Sequence, residues 1–159
     1  MIRAGAVGIN FEDQIVGQAT LHPIERQCKR IAAIRALEPA LGIPLFINAR
    51  TDIFLKNRDR SAHPGLIEDA KVRAAAYEAA GASGIFVPGL ADERLIEAIC
   101  AATALPVNLI MMEGVPSISQ LADLGVARVS YGGRPFRSLM AELKDRATAI
   151  LESQAASRH

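Results

Sequence analysis

The sequence has 159 residues, of which 50% are hydrophobic, and a formal net charge of +1. This length predicts about one domain with one sizeable core. The low net charge and the few aromatic residues, five phenylalanines and two tyrosines, argue against nucleic acid or an anionic membrane as the partner. No apolar run reaches the ~18 residues of a membrane span. We therefore expect a cytoplasmic protein whose partners are small molecules or other protein subunits.

Five strand–helix units follow one another at a spacing of about 30 residues, which is typical of a repeated βα unit. The predicted strands are 6–11, 45–49, 84–87, 106–111 and 126–131. The first helix begins at Pro23. The second ends near Gly81 and has an apolar inner face made of Ile67, Ala70, Ala74 and Tyr77. Asp92 is predicted to cap the third helix, and Ser117 and Gln120 form a capping box ahead of the fourth.

The last helix is predicted to begin at Pro135 and to turn an apolar stripe inward. That stripe consists of Phe136, Leu139, Leu143, Ala147 and Ile150. The tail 153–159 is small and polar, so we expect it to fray.

Five βα units in about 160 residues are compatible with two α/β folds. One is a complete doubly wound domain of the flavodoxin-like type. The other is five eighths of a (βα)8 TIM barrel, whose usual length is ~250 residues. The first strand begins almost at Met1, and polar residues end at least four strands. Both observations favour a partial-barrel catalytic domain over residues 1–152.

Polar residues end the first two buried strands: Glu12 and Asp13 end the first, and Arg50 and Asp52 follow the second. In parallel α/β sheets this edge binds ligands, so the pattern indicates a site for an anionic substrate and a metal. Carboxylates bind a divalent cation directly or through water, but Asp13 is equally compatible with a turn and Glu12 with a neighbouring base. We favour ligand binding by Arg50 over an internal ion pair with Asp52, because a guanidinium matches a carboxylate or phosphate bidentately.

Further polar residues interrupt the apolar strands, namely Asn10, Asn48, Asn108 and Ser130. Buried amides and hydroxyls need partners, so these residues either tie strand ends together or line a polar pocket. Gly132 and Gly133 precede the last helix, where free N–H groups favour an anion. The same two glycines are equally explained by a tight turn.

The two cysteines, Cys28 and Cys100, lie in apolar helical patterns. We favour a core role for both over catalysis or a disulfide. The three histidines are scattered and give no zinc-ligand spacing.

Around the candidate site residues, the sequence resembles the isocitrate lyase/phosphoenolpyruvate mutase superfamily, including its carboxyphosphonoenolpyruvate phosphonomutase-like members. The matching segments are AGAVGINFED (4–13), RIAAIR (30–35), FINARTD (46–52), AGASGIFVPG (80–89) and LGVARVSYG (124–132). The resemblance implies a (βα)8 barrel, here from about its fourth strand to its eighth. It also implies that Mg²⁺ stabilises an enolate of a pyruvate-like 2-oxo acid while a C–C or P–C bond is broken or made.

The resemblance suggests roles for individual residues. Glu12 resembles the acid that holds magnesium through water, and Arg50 resembles the arginine that grips the substrate's carboxylate or phosphonate. Asn108 falls at a strand end that faces the substrate in the lyase branch, and Asn48 is a further substrate-binding candidate. The segment 14–20 resembles a mobile loop that closes over the site.

The sequence also departs from the family. The segment that binds the 2-oxo acid and the aspartates nearest magnesium do not precede Met1, and 14–23 lacks the cysteine of the isocitrate lyase loop. The Lys-Thr-Asn-Ser loop of phosphoenolpyruvate mutase is missing too. We therefore expect a truncated lyase or mutase with weak or no activity, forming homo-oligomers. The alternative is a non-catalytic partial barrel with a role only in assembly.

Overall fold

The computed structural model describes residues 5–156, without the side chains of residues 41 and 154–156. Its strands are β1 (Gly8–Glu12), β2 (Phe46–Arg50), β3 (Gly84–Phe86), β4 (Val107–Ile110) and β5 (Val126–Ser130). The helices are α1 (Ile24–Arg35), α2 (Glu38–Leu41), α3 (Ile53–Lys56), α4 (Ile67–Ala79), α5 (Glu93–Cys100), α6 (Ile118–Asp123) and α7 (Arg134–Ala156). A 3₁₀ helix, Arg60–Leu66, leads directly into α4. Most strand ends differ from the predicted ones by one or two residues.

The order of the strands decides between the two predicted folds. All five are parallel and lie in one sheet in the order β1-β2-β3-β4-β5. A flavodoxin-like sheet would place its second strand outside its first. Here each strand pairs with its neighbours in sequence, as in the wall of a barrel. The partial-barrel prediction is confirmed, and the doubly wound alternative is wrong.

The core lies between one face of the sheet and the helices. Successive side chains of a strand point to opposite faces. The helix side of the three central strands is apolar and buried: Ile47, Ala49, Ile85, Val107 and Leu109. The helices meet it with Ile31, Ala70, Ala74, Tyr77, Ile96, Ile99 and Leu121. The predicted inner face of α4 is therefore confirmed.

The other face of the sheet is more polar. It carries Asn10, Phe46, Asn48 and Arg50 on the first two strands, and Phe46 is half-exposed. A Cβ at Gly84 would lie 3.1 Å from both Phe46 Cζ and Asn48 Oδ1, so glycine lets these side chains lie across β3. By register, the polar residues that interrupt the strands, Asn10, Asn48, Asn108 and Ser130, thus share this face of the sheet.

The predicted helix caps are present. The Asp92 carboxylate accepts a hydrogen bond from Leu95 N–H at the start of α5. Ser117 and Gln120 form the capping box of α6. Local capping chemistry therefore acts as the sequence indicated.

The prediction for α7 is wrong in one respect. Its apolar stripe does not face inward: Phe136, Leu139, Leu143 and Ile150 are 59% to 68% exposed, and Ala147 is exposed as well. Helical periodicity shows that a helix has an apolar face but not which surface covers it. No other described element packs along α7.

The helix α7 continues to Ala156, past the residue where we expected the tail to fray. Residues 157–159 lie outside the described residues.

Among residues 5–156, no helix combines the length and the apolar character needed to cross a membrane.

Candidate functional site

The main site candidates lie in one register row, at the carboxyl ends of β1, β2 and β3 and at the second residue of β4. Glu12 on β1 is in register with Arg50 on β2, Arg50 with Phe86 on β3, and Phe86 with Asn108 on β4. Paired strands lie ~4.8 Å apart, so the backbones of Arg50 and Asn108 are roughly 10 Å apart. Binding of a small molecule between Arg50 and Asn108 stays a prediction.

Arg50 is held by two carboxylates. Its Nε lies 2.6 Å from Asp52 Oδ1, and its Nη2 donates to Asp52 Oδ2 at 2.9 Å. Its Nη1 lies 3.1 Å from Glu12 Oε2. The internal ion pair with Asp52, which the sequence analysis ranked second, is thus present in the structure. Ligand binding by Arg50 stays a prediction.

The charges of Glu12, Arg50 and Asp52 limit which ligands these residues can bind without a cation. Two carboxylates, Glu12 and Asp52, face one guanidinium, so the formal sum is −1 + 1 − 1 = −1. A negative sum repels a dianion, most strongly where water is scarce. An anion would therefore bind Arg50 only if Glu12 moved away or if a cation neutralised it.

Glu12 is the one acid of this group that a cation could reach readily. Its side chain is 34% exposed, whereas those of Asp13 and Asp52 are fully buried. Mg²⁺ prefers an octahedron of oxygen ligands, several of them water. Within residues 5–156 no cluster of three or more acidic, histidine or cysteine side chains is able to hold a metal. The described residues therefore do not fit a complete magnesium site, and a contact of Glu12 with magnesium through water stays a prediction.

Asp13 lies away from the row, behind the sheet. Its Oδ2 accepts hydrogen bonds from the Tyr77 hydroxyl at 2.8 Å and from Arg73 Nη1 at 3.2 Å. These bonds commit its carboxylate, so a metal-binding role for Asp13 does not fit. Sequence reasoning missed Arg73 and treated Tyr77 as a core residue only. The available signal was an arginine and a tyrosine four residues apart on one face of α4.

The burial of this cluster shifts two pKa values. Burial raises the pKa of Tyr77 above its ordinary value, and the neighbouring charge of Asp13 raises it further. Burial alone would lower the pKa of Arg73, but its contacts with Tyr77, Asp13 and Asp69 raise that pKa overall. The cluster therefore keeps a neutral phenol and a charged guanidinium against the Asp13 carboxylate.

The polar strand residues fall into two groups. Asn48 Nδ2 donates to Asn10 Oδ1 at 2.7 Å, and Ser130 Oγ donates to Leu109 O at 3.0 Å, so these side chains tie strands together. Asn108 differs from them. It is only 2% exposed, and neither its Oδ1 nor its Nδ2 has a hydrogen-bond partner among residues 5–156. A buried amide without partners is costly, which makes Asn108 the best candidate for a ligand contact.

Gly132 and Gly133 form a tight turn into α7. Gly132 has a φ of +54°, in the left-handed region that glycine adopts easily, and Arg134 N–H donates to Tyr131 O at 3.2 Å. An open cavity of about 500 Å³ lies beside this turn, with Arg134 and Arg137 among its lining residues. The anion site at the two glycines stays a prediction.

The segment between β1 and α1 returns on itself beside the site. Gln14 and Leu21 form an antiparallel bridge, and Lys56 Nζ donates to Gln18 O at 2.8 Å. Val16, near its tip, is strongly exposed. This position is compatible with the predicted mobile loop, whose motion stays a prediction.

Both cysteines pack against the core and are free thiols, as expected for core residues. Burial raises the pKa of both thiols. A raised pKa disfavours the reactive thiolate, so neither resembles a catalytic nucleophile.

A sequential parallel sheet, helices along one face and ionic residues at the carboxyl edge together define this chain as part of the wall of a (βα)8 barrel. The chain belongs to the phosphoenolpyruvate phosphomutase family, whose sequence model matches residues 1–151. The resemblance inferred from the sequence is thereby confirmed.

Similar proteins support the same family. A Burkholderia cenocepacia J2315 protein provisionally described as a phosphonomutase is 41% identical, with a TM-score of 0.87 over 93% of this chain and 59% of its own. A second protein of that strain, provisionally described as a lyase/mutase, is 34% identical, with a TM-score of 0.83 over 94% of this chain and 53% of its own. Oxaloacetate decarboxylase from Bradyrhizobium sp. BTAi1 is 30% identical over 77% of this chain and 39% of its own length. The chain thus spans about half the length of the relatives it matches.

Proposed function

We propose that the protein acts as a lyase or mutase on a small dianionic 2-oxo acid or phosphonopyruvate-like substrate, breaking or making a C–C or P–C bond through an enolate. The family and the names of its similar proteins support a lyase or mutase reaction. The observation that supports the substrate class is the Asn108 amide, which is buried without hydrogen-bond partners among residues 5–156 and lies in the same register row as Arg50.

Each residue of the row has a proposed role. Once Glu12 has moved away from it, Arg50 binds the carboxylate or phosphonate of the substrate through the N–H groups of Nη1 and Nη2 that Asp52 does not hold. Asn108 donates a hydrogen bond to a second oxygen of the substrate and so becomes paired. Phe86 supplies the apolar floor between them. When the C–C or P–C bond breaks, the departing fragment leaves without the bonding electrons, as a carbonyl compound such as CO2 or as a phosphoryl group passed to an acceptor. The electron pair stays on the substrate as the enolate, whose negative charge these donors stabilise until its carbon takes a proton or forms a new bond.

We propose Mg²⁺ as the cofactor, with Glu12 contacting it through water. Since residues 5–156 do not form a complete site, we expect this chain alone to bind Mg²⁺ only weakly. A calorimetric titration of residues 1–159 tests this expectation. Micromolar affinity for magnesium would contradict it.

The test of substrate binding is calorimetry of the protein with oxalate, a small dianion. We expect Arg50→Lys to weaken binding by ~1–3 kcal/mol, because lysine lacks the bidentate fork. Arg94→Lys is the matched control, since Arg94 is exposed on α5, away from the row. An unchanged oxalate affinity in Arg50→Lys would overturn the proposal.

A second candidate function is a non-catalytic partial-barrel subunit with a role in assembly. Two observations favour it: the described residues lack a metal-binding cluster, and α7 exposes a long apolar stripe. Under this function the protein would bind no oxalate and would not turn over oxaloacetate with Mg²⁺, yet would sediment as an assembly. Binding or turnover that depends on Arg50 would exclude it.

For either function we propose a homo-oligomer in the cytoplasm. Exposed apolar surface of this extent marks interaction sites. Sedimentation at micromolar concentration measures the state of assembly. A stable monomer that unfolds cooperatively would contradict the proposed oligomer.

A further inference from the structure

One buried carboxylate connects three elements behind the candidate site. Asp13 Oδ1 accepts a hydrogen bond from Asp52 N–H at 3.0 Å, while its Oδ2 accepts from Tyr77 and Arg73 on α4. The side chains of Asp13 and Tyr77 are completely buried. Through Asp13, α4 is therefore joined to the end of β1 and to the residues that follow β2.

The backbone of Asp13 adds two more connections. Its N–H donates to Arg50 O at 3.0 Å, and its carbonyl accepts from His22 N–H at 2.7 Å. Arg73 Nη1 also donates to His22 O at 3.2 Å. Asp13 thus holds the end of β2, which carries Arg50, and also holds His22, where the segment after β1 returns to the sheet.

The connection reaches the guanidinium of Arg50 through Asp52. Asp13 holds the backbone N–H of Asp52, and the buried carboxylate of Asp52 holds Arg50 at two nitrogen atoms. Tyr77 and Arg73 lie on the helix side of the sheet, so neither would touch a ligand at the carboxyl edge. Any effect they have on a ligand must pass through Asp13 and Asp52.

The cost of burying charges indicates that the cluster of Asp13, Arg73 and Tyr77 orients side chains more than it stabilises the fold. Removing two charges from water is expensive, and a buried ion pair often stabilises a protein no better than apolar residues of the same volume. Fully satisfied polar networks, however, fix side chains in one arrangement. An arginine that must present its fork to a carboxylate benefits from that, because bidentate bonds depend strictly on orientation.

We propose that Tyr77 and Arg73 are positioning residues that orient the Arg50–Asp52 pair for anion binding. The inference rests on the proposed function of Arg50 and extends it to residues on the opposite face of the sheet.

The first test needs no ligand. In Tyr77→Phe, Asp13 loses one hydrogen bond while the ring and its packing remain. We expect the NMR signal of the Arg50 side-chain Nε–H, assigned by its loss in Arg50→Lys, to shift and to exchange faster with water. Ile96→Val is the matched control, because it also perturbs a fully buried residue but on α5, outside the network. An Arg50 signal that is the same in Tyr77→Phe and wild type would overturn the proposal.

The second test measures oxalate affinity by calorimetry, well below the melting temperature of every variant. We expect Tyr77→Phe to bind oxalate about tenfold more weakly, which equals ~1.4 kcal/mol, and Ile96→Val to bind as wild type does. In the Arg50→Lys background, Tyr77→Phe should have no further effect, because it acts through Arg50. Equal losses of affinity in Tyr77→Phe and Ile96→Val would show a merely structural role and contradict the proposal.

The two tests distinguish the positioning role of Tyr77 and Arg73 from the proposed anion binding by Arg50, on which it rests. If wild type binds no oxalate while Tyr77→Phe still alters the Arg50 signal, the proposed function fails, and Tyr77 orients the Arg50–Asp52 pair without a role in anion binding. If wild type binds oxalate and neither the signal nor the affinity responds to Tyr77→Phe, the positioning role fails and the proposed function stands. Arg73→Lys, which keeps the charge of Arg73, should affect both readouts less than Arg73→Met.

Discussion

The middle of the sheet and its two ends contain similar residues in different surroundings. In the middle, Ile47, Ile85 and Leu109 are completely buried beneath helices. At the β5 end, α7 has an equally apolar stripe, but its leucines and phenylalanine are exposed. The hydrophobic effect is proportional to the apolar area removed from water, so the same residue types stabilise the middle and contribute little at this end. Whether a side chain is buried therefore depends on what packs against it as much as on its residue type.

The β1 end shows the same contrast in another form. β1 pairs only with β2 among the described strands, and an apolar cavity of about 330 Å³ lies beside it. The cavity is lined mainly by Ala6, Ile9, Phe11, Ile34, Leu37 and Leu45. An unpaired edge strand with apolar neighbours tends to recruit another strand. Both ends of the sheet therefore offer surfaces for association, which the middle does not.

The largest expected effect contrasts a leucine from each region. We expect Leu109→Ala in β4 to lower the free energy of unfolding by ~3–4 kcal/mol, because it leaves a cavity in a packed core. In the dissociated chain, Leu143→Ala in α7 should lower it by less than ~0.5 kcal/mol, because Leu143 is 60% exposed there. Urea unfolding of both variants, at a protein concentration low enough for the chain to be monomeric, measures the difference. A large loss for Leu143→Ala would mean that α7 is covered in solution, and the contrast between the two regions would then be broken.

The same contrast explains how much of the fold the sequence could predict. The inner face of α4, the Asp92 cap and the capping box at Ser117 depend on residues close together in the chain, and each was predicted correctly. The environment of α7 depends on what lies against it, and no local pattern contains that information. The partial barrel, and with it the sequential strand order, was preferred mainly because polar residues end at least four of the predicted strands.

The candidate site was predicted less completely. Sequence reasoning selected Glu12, Arg50 and Asn108, and the structure places them in one register row. It could not show that Asp13 turns away from this row, because its partner Tyr77 lies 64 positions further along the chain. Nor could it show that Arg50 is paired with both Asp52 and Glu12, since that pairing depends on side-chain geometry.

The next effect concerns the buried tyrosine of the middle region at alkaline pH. The folded-state pKa of Tyr77 is raised above the ordinary value of 10.0, so the unfolded chain loses this proton at a lower pH than the folded one. The associated stability is fully present below pH 10 and is lost as the pH rises above it. We expect a loss of ~1 kcal/mol between pH 10 and pH 11. Tyr77→Phe lacks this contribution, so the difference between its alkaline unfolding curve and that of wild type isolates it; parallel curves would contradict the prediction.

A smaller effect tests a helix that covers the middle of the sheet. Asp92→Ala should lower the free energy of unfolding by ~1 kcal/mol, because Leu95 N–H at the start of α5 loses its cap. Asp92→Asn is the control, since asparagine caps helices about equally well. Thermal unfolding of the two variants measures this. Equal losses would show that the charge of Asp92 matters and not its capping bond.

The smallest effect lies on α7. Arg146 and Glu142 form an ion pair one turn apart, with side chains 74% and 55% exposed. Exposed pairs of this kind contribute only ~0.3–0.5 kcal/mol, and less at high salt, because water and ions screen them. We therefore expect Glu142→Gln to change the free energy of unfolding by no more than ~0.5 kcal/mol at low salt, and by less at high salt. If the loss instead exceeds ~1 kcal/mol and is insensitive to salt, the pair is shielded from water. In that case α7 is covered by another surface in solution, and the β5 end resembles the buried middle of the sheet.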